Sequence, residues 1–397
     1  MNSRERVKTS LNHKQGDRIP VDHNHGVSGM SEIAYRNLLK YLKLEDEIKI
    51  YDYVQRLALV KEEILDMFGV DTRYILPIAP SNFIFDGDPE NEFKDEFGVV
   101  YKRCGYYADI WKPPLRGKTF EEIKKYKFPD LSDNTRFDDS AMEAKNLSEN
   151  TSYSIWGGPV PSLFYTAWTL RGMQDFTIDL YADPKLGFYL VDRVMDFWME
   201  YMEKFLNQVG SYVDVFWGGG DDWGHQGGPM VSPDLFKAEV VPRLKKMISF
   251  FKSKTNAKCC YHSCGSVYWC LEDLIEVGID IIHPLQPNAY ANDTDKIKKE
   301  FGSRICFHGG TNNQGVFDKN INILTMDTLK RIKDLAPGGG YIFSSGHNIQ
   351  ANTSPENIVR LFELAKEYGK YPIDISKIDS RIEQEQKILN IKNFKNN

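Results

Sequence analysis

Eight short apolar runs, each breaking off in a polar or glycine-rich cluster, constrain the fold of this chain more than any other feature. They read RIPVDHNHG (18–26), DTRYILP (71–77), YSIWGGP (153–159), VDVFWGGGDD (213–222), KCCYHSC (258–264), IDIIHPLQ (279–286), RICFHGGTNN (304–313) and YIFSSGHN (341–348). Each is short and rich in β-branched or aromatic residues, the mark of a parallel strand buried on both faces. Between the later runs the spacing turns helical. Residues 183–210 keep helical apolar spacing and stop at Gly210, and residues 355–369 put Ile358, Leu361, Phe362 and Ala365 on one face. Asp183-Pro184, Ser232-Pro233 and Ser354-Pro355 each set a capping oxygen before a proline at the first helical position. Strands alternating with helices predict an α/β fold, a (β/α)8 TIM barrel, whose chemistry sits on loops at the C-terminal ends of the strands.

The rest of the chain is read as decoration of a single barrel domain spanning 1–397. Residues 1–15 form a short amphipathic helix with Val7 and Leu11 on one face. The segment 86–130 alternates and contains glycine, which predicts an inserted β-hairpin. The charged tail 373–397 is expected as a peripheral helix. A net charge of −6 without a long basic run argues against nucleic acid as a partner. No apolar stretch reaches the roughly 18 residues of a membrane span. The polar start MNSRERVKTSLNHK does not read as a secretory signal, and six cysteines in 397 residues are not a disulfide framework, so a cytoplasmic location is expected.

Seven of the eight histidines lie at or just beyond the ends of the apolar runs, His13 being the exception. His262 and Cys264 stand two apart, a spacing that lets both bind one zinc if the backbone turns between them, or that leaves a strand-end histidine beside an inert thiol. Cys259, Cys260 and Cys270 read as packing residues. The candidate third ligand is His347, where Gly346 would allow close approach of the backbone. Asp222 is a fourth ligand or a carboxylate that orients a ligating histidine, and the pair Asp221-Asp222 also reads as strand-end caps. No GxGxxG, no GxxxxGK[ST] and no serine nucleophile elbow is present.

The segments GDRIPV, VSPDLFKAEVVPRLKKMI, HSCG, GIDIIHPLQ and GHNIQANTSPENI follow one another in the order seen in the uroporphyrinogen decarboxylase superfamily, which the chain resembles over nearly its whole length. That superfamily has the (β/α)8 fold and holds metal-free decarboxylases alongside zinc methyltransferases that exchange a methyl group with a corrinoid protein. The decarboxylases carry early arginines that hold substrate carboxylates. The matching stretch here, VDHNHGVSGM, has none. His262 and Cys264 match the His-x-Cys of the methyltransferases, while His347 stands where those enzymes have a later cysteine. The resemblance therefore implies a methyltransferase with zinc on His262, Cys264 and His347, a transient corrinoid-protein partner, and a small methyl donor or acceptor; the aromatic-rich loops, with Tyr153, Trp156, Phe164, Tyr165, Trp168 and Trp217, lean toward a methyl ether such as a methoxyaromatic. The alternative it implies is a metal-free decarboxylase with Asp222 and His347 near the substrate. Asp222, His23 and His25 are the candidate catalytic groups, the two histidines reading equally as proton donors or as packing under the rim. Trp156, Tyr165, Trp217, His225 and Gln286 are the candidate substrate contacts.

Overall fold

The computed structural model describes residues 1–77, 79–80 and 86–395. Seven of the eight runs form one parallel sheet. Its spatial order is Tyr341–Ile342, Cys306–His308, Ile281–His283, Lys258–His262, Val215–Gly220, Ser154–Gly157 and Thr72–Ile75, so sequential strands are neighbours. The remaining run, residues 18–26, closes the ring. Phe343 N–H donates to Pro20 O and Asp22 N–H to Phe343 O, both at 2.8 Å, while Asp71 N–H donates to Val21 O at 2.7 Å. Pro20 has no N–H to give, which keeps this run a pair of bridges rather than a regular strand. The result is the (β/α)8 barrel that the alternation of runs predicts.

Side chains alternate between the inside of the barrel and the helices around it. Tyr74, Trp156, Val215, Trp217, Cys260, Ile281, Cys306 and Ile342 pack together inside. Val7 and Leu11, from the helix Ser3–Leu11, join that cluster. Ser10 Oγ donates to Tyr341 O and Arg4 N–H to Ser152 O, so this helix seats under the N-terminal ends of the strands. Two buried aliphatic side chains of this kind each contribute about 1.5–3 kcal/mol. Asn2 caps the helix in a reciprocal box with Glu5. The three Asp/Ser-Pro starts cap as expected: Asp183, Ser232 and Ser354 accept from the N–H of Leu186, Leu235 and Asn357.

The expected hairpin is the longest part of a larger insertion. Val100–Cys104 pairs with Tyr107–Lys112, and Glu92–Lys94 and Asp86–Gly87 extend the meander to four antiparallel strands. Residues 113–130 lie outside it and include the short helix Phe120–Lys124. Ala108 N–H bonds Val54 O, and Tyr107 OH donates to Gln350 beyond the last barrel strand. The meander is thereby tied to a small sheet, Met30–Ser31, Leu57–Ala58 and Ile50–Asp52, at the barrel mouth. The C-terminal helix Ile375–Lys395 lies on the helix Ile321–Leu335, with Ile378 buried and Lys333 paired to Asp379 at 2.5 Å. Among the described residues no helix is long and apolar enough to cross a membrane.

Candidate functional site

Strand register assembles the site. Gly220 stands opposite His262, and His262 opposite His283, so the residues just past these strands meet at one point of the mouth. Beyond His262 the backbone turns sharply. Cys264 N–H donates to Asp222 Oδ1 at 2.7 Å and Gly265 N–H to Gln286 Oε1 at 2.9 Å. Gly265 has φ +76°, and a Cβ there would lie 2.3 Å from Gly224 O, so glycine is required on both counts. The turn swings Cys264 Sγ to 3.5 Å from His262 Nε2. His347 arrives from the last strand's loop, and one donor atom each of His262, Cys264 and His347 lies within 4.8 Å of the others. Gly346 serves a different close approach from the one anticipated: a Cβ there would meet Thr311 O at 2.0 Å.

This donor set fits zinc in type and spacing. A tetrahedral site with the usual Zn–S and Zn–N lengths has an S···N edge of about 3.5 Å, the separation found between Cys264 and His262. His262 faces Cys264 and, at 3.5 Å, Asp222 Oδ1 through Nε2, while its Nδ1 bonds His283 Nδ1 at 2.9 Å. Asn348 N–H donates to His347 Nδ1 at 2.8 Å. In this arrangement the neutral His347 ring carries its proton on Nε2, and holding a metal through that nitrogen requires the Asn348 contact to be given up.

The charges are mutually dependent. Burial pushes the Cys264 thiol up, but His262 and His347 outweigh it and bring it down to about 7. Burial pulls His262 down, and the Cys264 sulfur and Asp222 carboxylate raise it to about 10. Burial likewise pushes the Asp222 carboxyl up, but the His262 bond and charge and the Cys264 N–H hold it below its ordinary value. Behind His262 a column of rings runs into the barrel. His283 is wholly buried and driven far down by that burial and then by His308, so it is neutral and accepts from His262. His308 lies 4.7 Å from it, centroid to centroid, and its Nε2 bonds Asp22 Oδ2 at 2.8 Å. Burial alone would raise Asp22, but His308, Thr72 and Tyr74 bring it to about 2.

Asp221 and Asp222 divide the two roles anticipated for the pair. Asp221 is buried and accepts the N–H groups of Leu163, Phe164 and Tyr165 at 2.8–2.9 Å, capping the helix Leu163–Arg171 from outside it. Asp222, 41% exposed, faces the donor set. Of the candidate substrate contacts, Tyr165 lines the mouth cavity. Trp156 and Trp217 do not: both are wholly buried inside the barrel, because their positions in the strands point inward. His225 is exposed on the rim, its Nδ1 accepting from Gly227. Gln286 spends its amide on Gly265, Gln226 and Asn288, propping the Cys264 turn. His23 packs on Phe362 on the outer side of the barrel wall, away from the donor set. His25 is buried inside, stacked on Trp217 at 4.6 Å. Burial brings both rings down, to about 4 and about 3, so neither carries a proton to deliver near neutral pH.

The donor set opens into a cavity of about 450 Å³ at the mouth, walled by Asp52, Gln55, Tyr101, Tyr165, His262 and His347 among others. None of the described residues lining it is Lys or Arg. Asp22, Asp52, His283 and His308 escaped selection from the sequence. His283 and His308 at least end apolar runs, whereas Asp52 lies outside all eight.

A family model described as Uroporphyrinogen decarboxylase (URO-D) matches residues 111–368. The uroporphyrinogen decarboxylase of Chlorobium chlorochromatii (strain CaD3) is 21% identical over 265 residues, 64% of this chain and 71% of that protein. The one from Citrifermentans bemidjiense is 22% identical over 339 residues, 82% of this chain and 89% of that protein. Among solved structures, a methyltransferase from Methanosarcina mazei superposes with a TM-score of 0.65 at 15% identity, covering 93% of this chain and 99% of that one. A likeness at that identity concerns the fold.

Proposed function

The chain belongs to the uroporphyrinogen decarboxylase family, and from that premise we propose that it is a zinc-dependent methyltransferase that moves a methyl group from a methyl ether, a methoxyaromatic by preference, to a corrinoid protein. The observation that carries this reading is the donor set His262, Cys264 and His347, whose two histidines line the mouth cavity. Bound zinc supplies Lewis acidity to the ether oxygen of the donor. The chain's own residues do the rest. His283 accepts the Nδ1 proton of His262 and so fixes the tautomer that turns Nε2 to the site. Asp222 holds the Cys264 turn through the backbone and stays ionised, so it serves as an anchor rather than as an acid. Tyr165 and Tyr101 wall the space above and give an aromatic substrate surfaces to lie against. The methyl carbon would leave the ether oxygen as the reduced corrinoid of the partner supplies the electron pair for the new bond, and the freed oxygen would take up a proton from solvent at the open mouth. The open mouth suits a transient partner.

The curated relatives named uroporphyrinogen decarboxylase make decarboxylation the rival. A polycarboxylate substrate needs cationic anchors, and this cavity offers Asp52 and Asp222 instead. The test is transfer of a labelled methyl group from a methoxyphenol to a reduced corrinoid protein, with and without zinc. Zinc-dependent labelling of the corrinoid protein is expected. Release of CO2 from a porphyrinogen, with no labelling of any corrinoid protein, overturns the reading.

A further inference from the structure

We propose that Asp52 selects the substrate by accepting a hydrogen bond from a hydroxyl on its aromatic ring, so that methoxyphenols are preferred over methoxyarenes that carry a carboxylate or no donor at all. The inference deepens the methyl-transfer reading and rests on it. Asp52 ends the strand Ile50–Asp52 and lines the same cavity as His262 and His347. Its position is set by a bonded chain that reaches the donor set. Gln55 N–H and Nε2 donate to the two oxygens of Asp52 at 2.8 and 3.0 Å. Gln55 Oε1 in turn accepts from Asn348 Nδ2 at 2.8 Å, and Asn348 follows His347 directly in the chain. The place where a substrate would be recognised is thus fixed relative to the place where it would react.

The carboxylate is also unfinished. It offers about four acceptor sites. Gln55 and the Val54 N–H account for three of them. Burial pushes its carboxyl above the ordinary range, so a neutral donor arriving from the substrate stabilises the anion, whereas a second carboxylate is repelled. Asp222 on the same cavity wall adds to that repulsion; the described lining residues include no Lys or Arg, and Arg103, whose charge favours the Asp52 anion, lies outside the lining. A phenolic hydroxyl meets these conditions and a benzoate does not. A plain methoxyarene leaves the remaining acceptor site of Asp52 desolvated and without a donor, the situation in which a polar site rejects an analogue most strongly.

The test is calorimetric binding to the zinc-loaded full chain without any corrinoid partner, using the three methoxyphenol isomers, methoxybenzene and 2-methoxybenzoate. At least one methoxyphenol is expected to bind roughly tenfold or more tighter than the other two probes. Asp52→Asn, which keeps the size of the side chain, and Asp52→Ala are each expected to bring methoxyphenol affinity down to that of methoxybenzene. Methoxybenzene should gain affinity in Asp52→Ala, where no desolvated carboxylate opposes it, 2-methoxybenzoate should gain affinity in Asp52→Asn, and zinc content and the circular dichroism spectrum should stay unchanged in both. Equal ranking of the probes by the unaltered protein, or a methoxyphenol preference that survives in Asp52→Asn, overturns the assignment. Asp52-dependent preference without labelled methyl transfer would sustain this assignment and sink the proposed reaction. Methyl transfer with a preference indifferent to Asp52 would do the reverse.

Discussion

Alkylation of Cys264 in the metal-free protein reads the site's charge and its metal at once. The sulfur lies 3.5 Å from His262 Nε2, and His262 and His347 together bring the thiol to about 7. An ordinary thiol titrates near about 8.5, so at pH 7 the thiolate fraction differs by roughly fifteen-fold. A less basic thiolate is also a weaker nucleophile, by about four-fold for this change. The net rate advantage at pH 7 is then only about four-fold, and the midpoint of the pH profile is the sharper measure. The sign is fixed: the reactive thiolate appears as pH rises through about 7, and zinc affinity rises over the same interval because the ligand is the thiolate. Exposed Cys104 is replaced by serine, and the other four cysteines are buried. Iodoacetamide modification, followed by mass spectrometry from pH 5 to 10, should show a midpoint near 7 at Cys264. In His262→Ala the main attraction is gone while burial remains, and the midpoint should rise above about 8. Stoichiometric zinc should suppress the reaction. A midpoint at or above about 8.5 in the unaltered site, or alkylation indifferent to zinc, would refute the reasoning.

Other substitutions separate holding the metal from holding the fold. His283→Phe removes the acceptor of the His262 Nδ1 proton, and zinc affinity measured against a chromophoric chelator should fall about 10–100-fold; unchanged affinity would make His283 a packing residue. Asp221→Ala strips three N–H groups of their acceptor. Urea unfolding should show a loss of about 1–3 kcal/mol with zinc content intact, and no loss would contradict the capping role. Trp217→Ala opens the barrel core and should cost about 3–5 kcal/mol; weakened substrate binding at full stability would return Trp217 to the pocket wall.

The barrel was legible because its signal is repeated eight times, and no single run has to be right. The donor set was legible for a related reason. In a parallel barrel every strand's C-terminal end faces one mouth, so His262, Cys264 and His347 converge without any knowledge of side-chain direction. Which face a side chain takes is a different question, and there the sequence is weaker. Parity has to be counted along each strand, and between Trp217 and Gly219 the register shifts against Cys260 and Tyr261. Counting through that irregularity does not show which of Asp221 and Asp222 turns to the helix Leu163–Arg171 and which to the Cys264 loop. Trp156 and Trp217 were assigned to the cavity from residue type, and their inward parity makes them core.

The first run shows what even correct parity leaves out. Asp22 points into the barrel and His23 points out, as alternation requires, whereas His25 also points in because Asn24, at φ +85°, breaks the alternation. Yet a carboxylate inside a barrel is expensive unless it is paired, and nothing near position 22 announces the pairing. Ser28, Thr72, Tyr74 and His308 supply it, from as far as 286 residues along the chain. Asp52 poses the same problem at the mouth. Its strand belongs to the small sheet outside the barrel, and its link to His347 runs through Gln55 and Asn348, 293 residues apart. Residues that would react directly lie where the topology places strand ends. Residues that hold or select act through contacts between distant segments, and these are determined only once the barrel has closed.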